Sequence, residues 1–133
     1  ASDVYKRQNQ HVSENAFYSI AIECFQETLN GHGILKLFFE VNVAPIIFNT
    51  EIQFKREIFI GEYVELHMDI LPSSPDMRKF QRTIKFFSAD SSEAVAVVSN
   101  GAFFDLKKRR VTSPPNAVVM SFIRSGLVSK SAD

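Results

Sequence analysis

The clearest pattern along the chain is helical and follows Ser13. From residue 14 to about residue 30, apolar side chains recur at helical spacing and cover more than half of the helix circumference. A surface helix needs a narrower apolar stripe, so this helix is expected to be enclosed by a curved sheet. Ser13 is a suitable N-cap, Glu14 is a favourable charge in the first turn, and Gly31 is predicted to end the helix.

Four stretches with alternating apolar and polar residues follow the helix and predict four strands. The first begins at Pro45, and the others cover residues 63–71, 78–88 and 93–106. The last stretch is apolar on both faces, which predicts a central strand or one covered by a second subunit. Residues 34–44 are apolar without a clean period, and we predict a turn and an irregular segment there.

This order of elements predicts an α+β fold, in which a curved antiparallel sheet wraps around one long central helix. The 133 residues are expected to form a single domain. Residues 1–8 lack an apolar pattern and are similar to an adapter-derived translation artefact, so we expect a non-native leader. Residues 116–133 are expected to form a C-terminal tail, with a short helix at about residues 118–127.

Composition excludes several classes of partner. The net charge is zero, so no overall field would attract nucleic acid. No apolar run approaches the ~20 residues of a membrane span, and we expect no membrane partner and a cytoplasmic location. The single cysteine, Cys24, excludes an internal disulfide and a cysteine-based metal site. Thirteen Phe with no Trp indicate a bulky core or a groove lined with rings.

Candidate chemistry lies in the loop before the helix, Asn9-Gln10-His11-Val12-Ser13-Glu14. The first turn of a helix has unpaired backbone N–H groups and the positive end of the macrodipole, which can hold and polarise a carbonyl or an anion. His11 could orient a water molecule, or could simply hold the loop through a backbone hydrogen bond. Asn9 could equally be only a turn residue.

The loop and the layout resemble the 4-hydroxybenzoyl-CoA thioesterase-like acyl-CoA thioesterases, which have the hotdog fold. Members carry a loop reading Asp-x-Asn-x-His-Met/Val-Asn-x, then an aromatic residue in the first helical turn and an acid further along. Here Asn9 and His11 match the loop, Phe17 replaces the usual Tyr, and Glu23 matches the acid. With Gly61-Glu62 and the pattern of residues 78–115, the resemblance covers about residues 9–115.

The resemblance implies an acyl-CoA thioesterase that needs no metal or organic cofactor. The apolar faces of the fourth strand, and the edge that a small curved sheet leaves exposed, predict a homodimer or a dimer of dimers, and the resemblance implies that the site lies at the subunit interface. The implied catalytic residues are Asn9, His11 and Glu23; the implied substrate contacts are Val12, Ser13, Glu14 and Phe17; and Lys108 and Arg109 are implied to lie near the CoA phosphates.

Two departures from the family pattern keep other functions open. The acid that many members use as nucleophile or base would fall on Arg7, and Ser13 stands where Asn is usual. The alternatives are a non-catalytic acyl-binding hotdog module and a hotdog dehydratase, which the His11 loop fits less well. On residue type alone, Glu23 would be a solvated helix charge, and Lys107–Arg110 a solvated strand end.

Overall fold

The computed structural model describes residues 14–58 and 64–128. The long helix and the four long strands predicted from the pattern are present within these ranges. The elements in chain order are α1 (Glu14–Gly31), α2 (Ile34–Val41), β1 (Val43–Phe54), β2 (Val64–Pro72), β3 (Lys79–Ser88), β4 (Glu93–Asp105), β5 (Arg110–Val111) and α3 (Asn116–Arg124).

The four long strands form an antiparallel sheet in the order β1-β4-β3-β2, and the short strand β5 pairs with β4. Strand β4 therefore lies between β1 and β3, as its two apolar faces predicted. Val95 and Val97 are buried on one face of β4, while Ala96 and Ala102 are buried on the other.

Helix α1 packs against the sheet through residues spaced four apart, Phe17, Ala21, Phe25 and Leu29, which are all buried. The ring of Phe17 meets the ring of Phe86 edge to face, with centroids 5.2 Å apart. The buried stripe is narrower than the pattern predicted, because Tyr18 and Ile20 remain 42% and 36% exposed.

Helix α2 corrects the prediction of an irregular segment at residues 34–44. Ile34 and Phe38, four residues apart, are buried and hold the helix on the core. Leu35 and Phe39 add apolar side chains elsewhere on the helix, which hid the helical period in the sequence. Helix α1 ends at Gly31, as predicted, and Gly33, which has the left-handed backbone (φ 72°), separates it from α2.

The predicted C-terminal helix is present as α3, which begins two residues earlier than expected. Its residues Val118 and Phe122 are buried. The Phe122 ring lies 5.9 Å from the Phe103 ring of the sheet and 6.1 Å from the Phe38 ring of α2. This part of the chain therefore belongs to the core. Within the described residues, no helix is both long and apolar enough to span a membrane.

Candidate functional site

Helix α1 begins at Glu14, so the candidate loop leads directly into a helix start. Asn9, His11, Val12 and Ser13 themselves lie outside the described residues. A helix start directs its unpaired backbone N–H groups towards whatever precedes it. The described part of the molecule thus supplies the dipole that the predicted chemistry requires, and the roles of the loop side chains stay predictions.

Phe17 lies on the buried face of α1, and its side chain is 4% exposed. Its ring meets Phe54 and Phe86 edge to face, with centroids 5.7 and 5.2 Å away. These contacts fix the first turn of α1 to the sheet. The predicted contact of Phe17 with substrate stays a prediction.

Glu23 is exposed on the polar side of α1, near Gln26 and Glu27. It is nine residues beyond Glu14, which is about 14 Å along the helix axis. Six residues separate Glu23 from Phe17, so the two side chains leave the helix in different directions. The fold therefore does not bring these two predicted site residues together on one face.

Cys24 is half-buried on α1. Burial raises the pKa of its thiol, and the nearby carboxylates of Glu27 and Glu23 raise it further. A thiol with a raised pKa is a poor nucleophile at neutral pH. Cys24 is therefore a structural residue.

Lys108 and Arg109 lie exposed in the turn that joins β4 to β5. The Asp105 carboxylate holds this turn by accepting the backbone N–H groups of Lys107 and Lys108 at 2.9 and 2.8 Å. The Lys108 N–H is the main reason why the pKa of Asp105 is lowered. The Arg109 guanidinium stacks over the Phe104 ring, with its Cζ 5.5 Å from the ring centroid.

A cavity of about 320 Å³ lies between the three helices and the sheet. Its volume is in the range of small-molecule sites. Among the described residues that line it, Arg82 is the only charged one and Gln26 the only other polar one. Six of the thirteen phenylalanines face it, in agreement with the ring-lined groove indicated by composition: Phe25, Phe38, Phe39, Phe80, Phe103 and Phe122.

Arg82 is a charged side chain on the core face of β3, and the residue is only 5% exposed. Its Nη2 donates to the Ser99 Oγ at 3.0 Å, and this oxygen lies 2.8 Å from the Thr50 Oγ1. Its Cζ lies 4.8 Å from the centre of the Phe25 ring. The Arg82 Nε has no hydrogen-bond partner among the described residues.

Burial lowers the pKa of Arg82, and the Tyr18 hydroxyl opposes this effect. A guanidinium nevertheless stays protonated at neutral pH. Arg82 was not among the site residues predicted from the sequence, although a signal was present. Arg82 falls between Phe80 and Ile84 on the apolar face of a strand with period two, where a charge is out of place.

A match to a protein-family model establishes the family to which this chain belongs. The model of the thioesterase-like superfamily matches residues 7–122, which is most of the chain. The chain belongs to the thioesterase-like superfamily. This confirms the resemblance to the hotdog thioesterases and supports thioester hydrolysis as the activity, and it favours neither of the two alternatives.

Solved structures of similar shape place this superfamily member in the hotdog fold. A Staphylococcus aureus protein solved with CoA has a TM-score of 0.76 at 12% identity, with 100% of this chain and 84% of that chain covered. The 1,4-dihydroxy-2-naphthoyl-CoA thioesterase of Synechocystis has a TM-score of 0.67 at 16% identity, with 84% and 82% covered. A probable thioesterase of Escherichia coli has a TM-score of 0.74 at 11% identity, with 89% and 87% covered.

These likenesses establish the fold of the superfamily member. A search of curated proteins found no significant match. In residues 14–58 and 64–128, no three His, Cys, Asp or Glu side chains are grouped so that they could hold a metal ion.

Proposed function

We propose that this protein is an acyl-CoA thioesterase whose reaction site is the loop of residues 9–14. The observation that carries the proposal is the start of α1 at Glu14, directly after the Asn9-x-His11 sequence, in a member of the thioesterase-like superfamily. Thioester hydrolysis needs a polarised carbonyl and an oriented water molecule, and a helix start preceded by a polar loop can supply both.

In the proposed reaction, water adds to the thioester carbonyl carbon and the C–S bond then breaks. His11 holds the water and accepts its proton, and Asn9 orients the thioester. Backbone N–H groups near Val12 and Ser13 stabilise the negative charge that develops on the carbonyl oxygen. The CoA sulfur receives a proton on departure, so the products are a free acid and CoA.

Glu23 fits this scheme as a residue contributed across a subunit interface. It is exposed and lies about 14 Å along α1 from the helix start, so it is badly placed to serve the loop of its own subunit. We propose a homodimer or a dimer of dimers, in which Glu23 of the partner subunit meets the loop. The expected cytoplasmic location is part of the same proposal.

The β4–β5 turn is proposed to bind the CoA phosphates. Lys108 and Arg109 are exposed there, and the Staphylococcus aureus neighbour in fold was solved with CoA. Leu106, which lines the cavity, directly precedes this basic turn, so phosphates bound there would lie near the cavity. Lysine and arginine are the usual ligands of phosphate oxygens.

Replacing Lys108 and Arg109 together with Ala should raise the KM for acyl-CoA about five- to tenfold and leave kcat nearly unchanged, because exposed charge pairs are each worth up to about 1 kcal/mol. Steady-state kinetics at low ionic strength are the measurement. The matched control replaces Arg78 and Lys79, an equally basic exposed pair at the start of β3. A KM that does not change in the first variant would remove the phosphate assignment.

The activity itself is tested by thiol release from acyl-CoAs with short, medium, long and aromatic acyl groups. The assay is run on this chain and on the Arg7→Asp variant, which carries the acid of the family pattern at position 7. We expect turnover of at least one substrate. No turnover of any substrate by either protein would defeat the proposal.

Arg7 and Ser13 keep the non-catalytic acyl-binding module as a second candidate, because the family acid and the usual Asn are absent at these positions. For this candidate we expect that calorimetry detects acyl-CoA binding, while the thiol-release assay detects no release of CoA.

A further inference from the structure

Arg82 places a positive charge in the cavity between the helices and the sheet, and a site for a plain acyl chain does not need such a charge. A slot for a plain hydrocarbon chain is served by apolar side chains alone, and a buried unpaired charge there costs free energy. The cavity instead has one guanidinium in its otherwise almost entirely apolar lining. The feature calls for a ligand that is apolar over most of its length and negative at one point.

The hydrogen-bonding of Arg82 is incomplete. Nη2 has a partner in Ser99, but Ser99 is a neutral hydroxyl and is itself shared with Thr50. None of the ion pairs among the described residues includes Arg82, although the residue is only 5% exposed. Its Nε is an unused donor. A guanidinium in this state has the donors to receive a carboxylate.

We propose that the cavity binds a carboxylate carried on an apolar chain, with the carboxylate at Arg82 and the chain against the phenylalanine rings. Charge complementarity supports this choice of ligand, because a carboxylate is the common organic anion whose geometry a guanidinium matches. The Phe25 ring, which packs against the guanidinium, keeps this charge oriented. A ligand with the same chain and no charge would leave Arg82 unpaired.

Two sources share this chemistry. One is a free carboxylic acid, which is also what thioester hydrolysis would release. The other is an acyl group with a second carboxylate at its far end. The cavity lies away from the helix start at which the reaction is proposed, since its lining residues Ile22 and Leu29 lie about 12 and 22 Å along the helix axis from Glu14. It could therefore hold either a released acid or the far end of an acyl group.

The first experiment measures binding by calorimetry at neutral pH and does not require catalysis. The probes are decanoic acid and decan-1-ol, which have the same chain and differ in the carboxylate. We expect the acid to bind at least about tenfold more tightly than the alcohol, since charge-assisted hydrogen bonds are the strong ones. Binding of neither probe, or equal binding of both, would overturn the proposal.

The Arg82→Met variant keeps most of the side-chain volume and removes the charge. It should abolish the preference for the acid while it still binds the alcohol. The control, Arg78→Met, removes an exposed arginine that pairs with Asp76 and should keep the preference. A preference that survives in Arg82→Met would contradict the role of Arg82.

A second readout uses the unsubstituted protein and does not depend on the folding of a variant. The arginine Nε–H signals are followed by NMR, and the Arg82 signal is assigned with Arg82→Lys. Decanoate should shift the Arg82 signal, and decan-1-ol should leave it nearly in place. A signal that decanoate leaves unmoved would overturn the proposal even if the acid binds elsewhere.

Kinetic measurements distinguish the free acid from the acyl group with a second carboxylate, and this experiment rests on the proposed thioesterase activity. Decanoyl-CoA is compared with the CoA thioester of the ten-carbon α,ω-dicarboxylic acid. A higher kcat/KM for the second substrate, lost in Arg82→Met, assigns the site to the acyl group, and no such difference assigns it to free acid. Absence of all turnover would count against the proposed function alone, because the binding results stand without it.

Discussion

Arg82 is the only buried charged residue among those that the structure describes. Its guanidinium is buried on the face of β3 that packs towards α1, and only Ser99 and the Phe25 ring compensate the loss of water. A buried charge without an ionic partner costs free energy in the folded state. The proposed ligand accounts for this buried charge, because its carboxylate would pair with the guanidinium in the cavity.

Arg7 is the residue at which the catalytic prediction can be tested by a gain of activity. The family acid falls on this position. The Arg7→Asp variant should raise kcat for acyl-CoA hydrolysis by about 100-fold, the lower end of what a positioned acid or base contributes. Arg7→Asn, of almost the same shape but without the charge, is the control. Equal kcat values for the two variants would show that this position is not where the acid acts.

The candidate residues were predictable from sequence to different degrees. Glu23 is exposed, as its position on the helix pattern predicted, because the helix period determines which residues face solvent. Arg82 was not predicted as a site residue because a single charged residue does not change the interpretation of an otherwise alternating apolar strand. Nothing local indicates that its neighbour across the sheet, Ser99, is too small to satisfy it.

At the scale of elements, the contact between β1 and β4 depends on a glycine. The register shifts between Ile47 and Asn49, close to the position where Ile47 pairs with Gly101. A Cβ at Gly101 would overlap the backbone carbonyl oxygen of Ile46 and lie 3.0 Å from Phe80 Cζ. The close approach of β1 at this irregularity is therefore possible only without a side chain.

Gly101→Ala should lower the free energy of unfolding by about 1 to 3 kcal/mol, because backbone atoms must move to admit the methyl group. Gly31→Ala is the matched control, since a Cβ at Gly31 would meet nothing within 4 Å. It should be neutral or stabilising by about 0.5 kcal/mol, since Ala is the better helix former. Urea denaturation gives both values. Equal midpoints for the two variants would contradict the packing at Gly101.

Elements with a single clear period were predictable, and the others were not. Helix α1 and the four long strands follow directly from spacing. Helix α2 was missed because Leu35 and Phe39 fill a second face that belongs to the cavity, and a cavity lining cannot be seen in a local period. The two-residue strand β5 was not predicted, because Arg110 is the last residue of the basic run and this run was interpreted as a solvated strand end.

At the scale of the whole molecule, the exposed edge of the sheet is the surface at which we expect the proposed homodimer to form. Among the described strands, β1 has a neighbour on one side only, and it is twelve residues long. Phe48 and Phe54 on this strand are 56% and 47% exposed. A long edge strand with exposed rings is a template for pairing with another chain. Which strand forms the exposed edge could not be derived from local pattern, because it depends on strand order.

The Phe48→Glu variant should shift the proposed dimer towards monomer, because a charge would be placed in an apolar interface. Light scattering at micromolar concentration is the measurement. Met120→Glu on α3, at a residue that is 38% exposed and remote in sequence from β1, is the control and should leave the mass unchanged. A monomeric mass for the unsubstituted protein would contradict the dimer itself.

The central claim is that the loop before α1 hydrolyses an acyl-CoA thioester, and His11 tests it most directly. The measurement is kcat/KM for the best acyl-CoA substrate in three proteins: unsubstituted, His11→Ala and His32→Ala. We expect His11→Ala to lose at least about 100-fold, as for a general base, and His32→Ala, an exposed histidine after α1, to lose nothing. Retention of full kcat/KM by His11→Ala would contradict the assignment of the reaction to this loop.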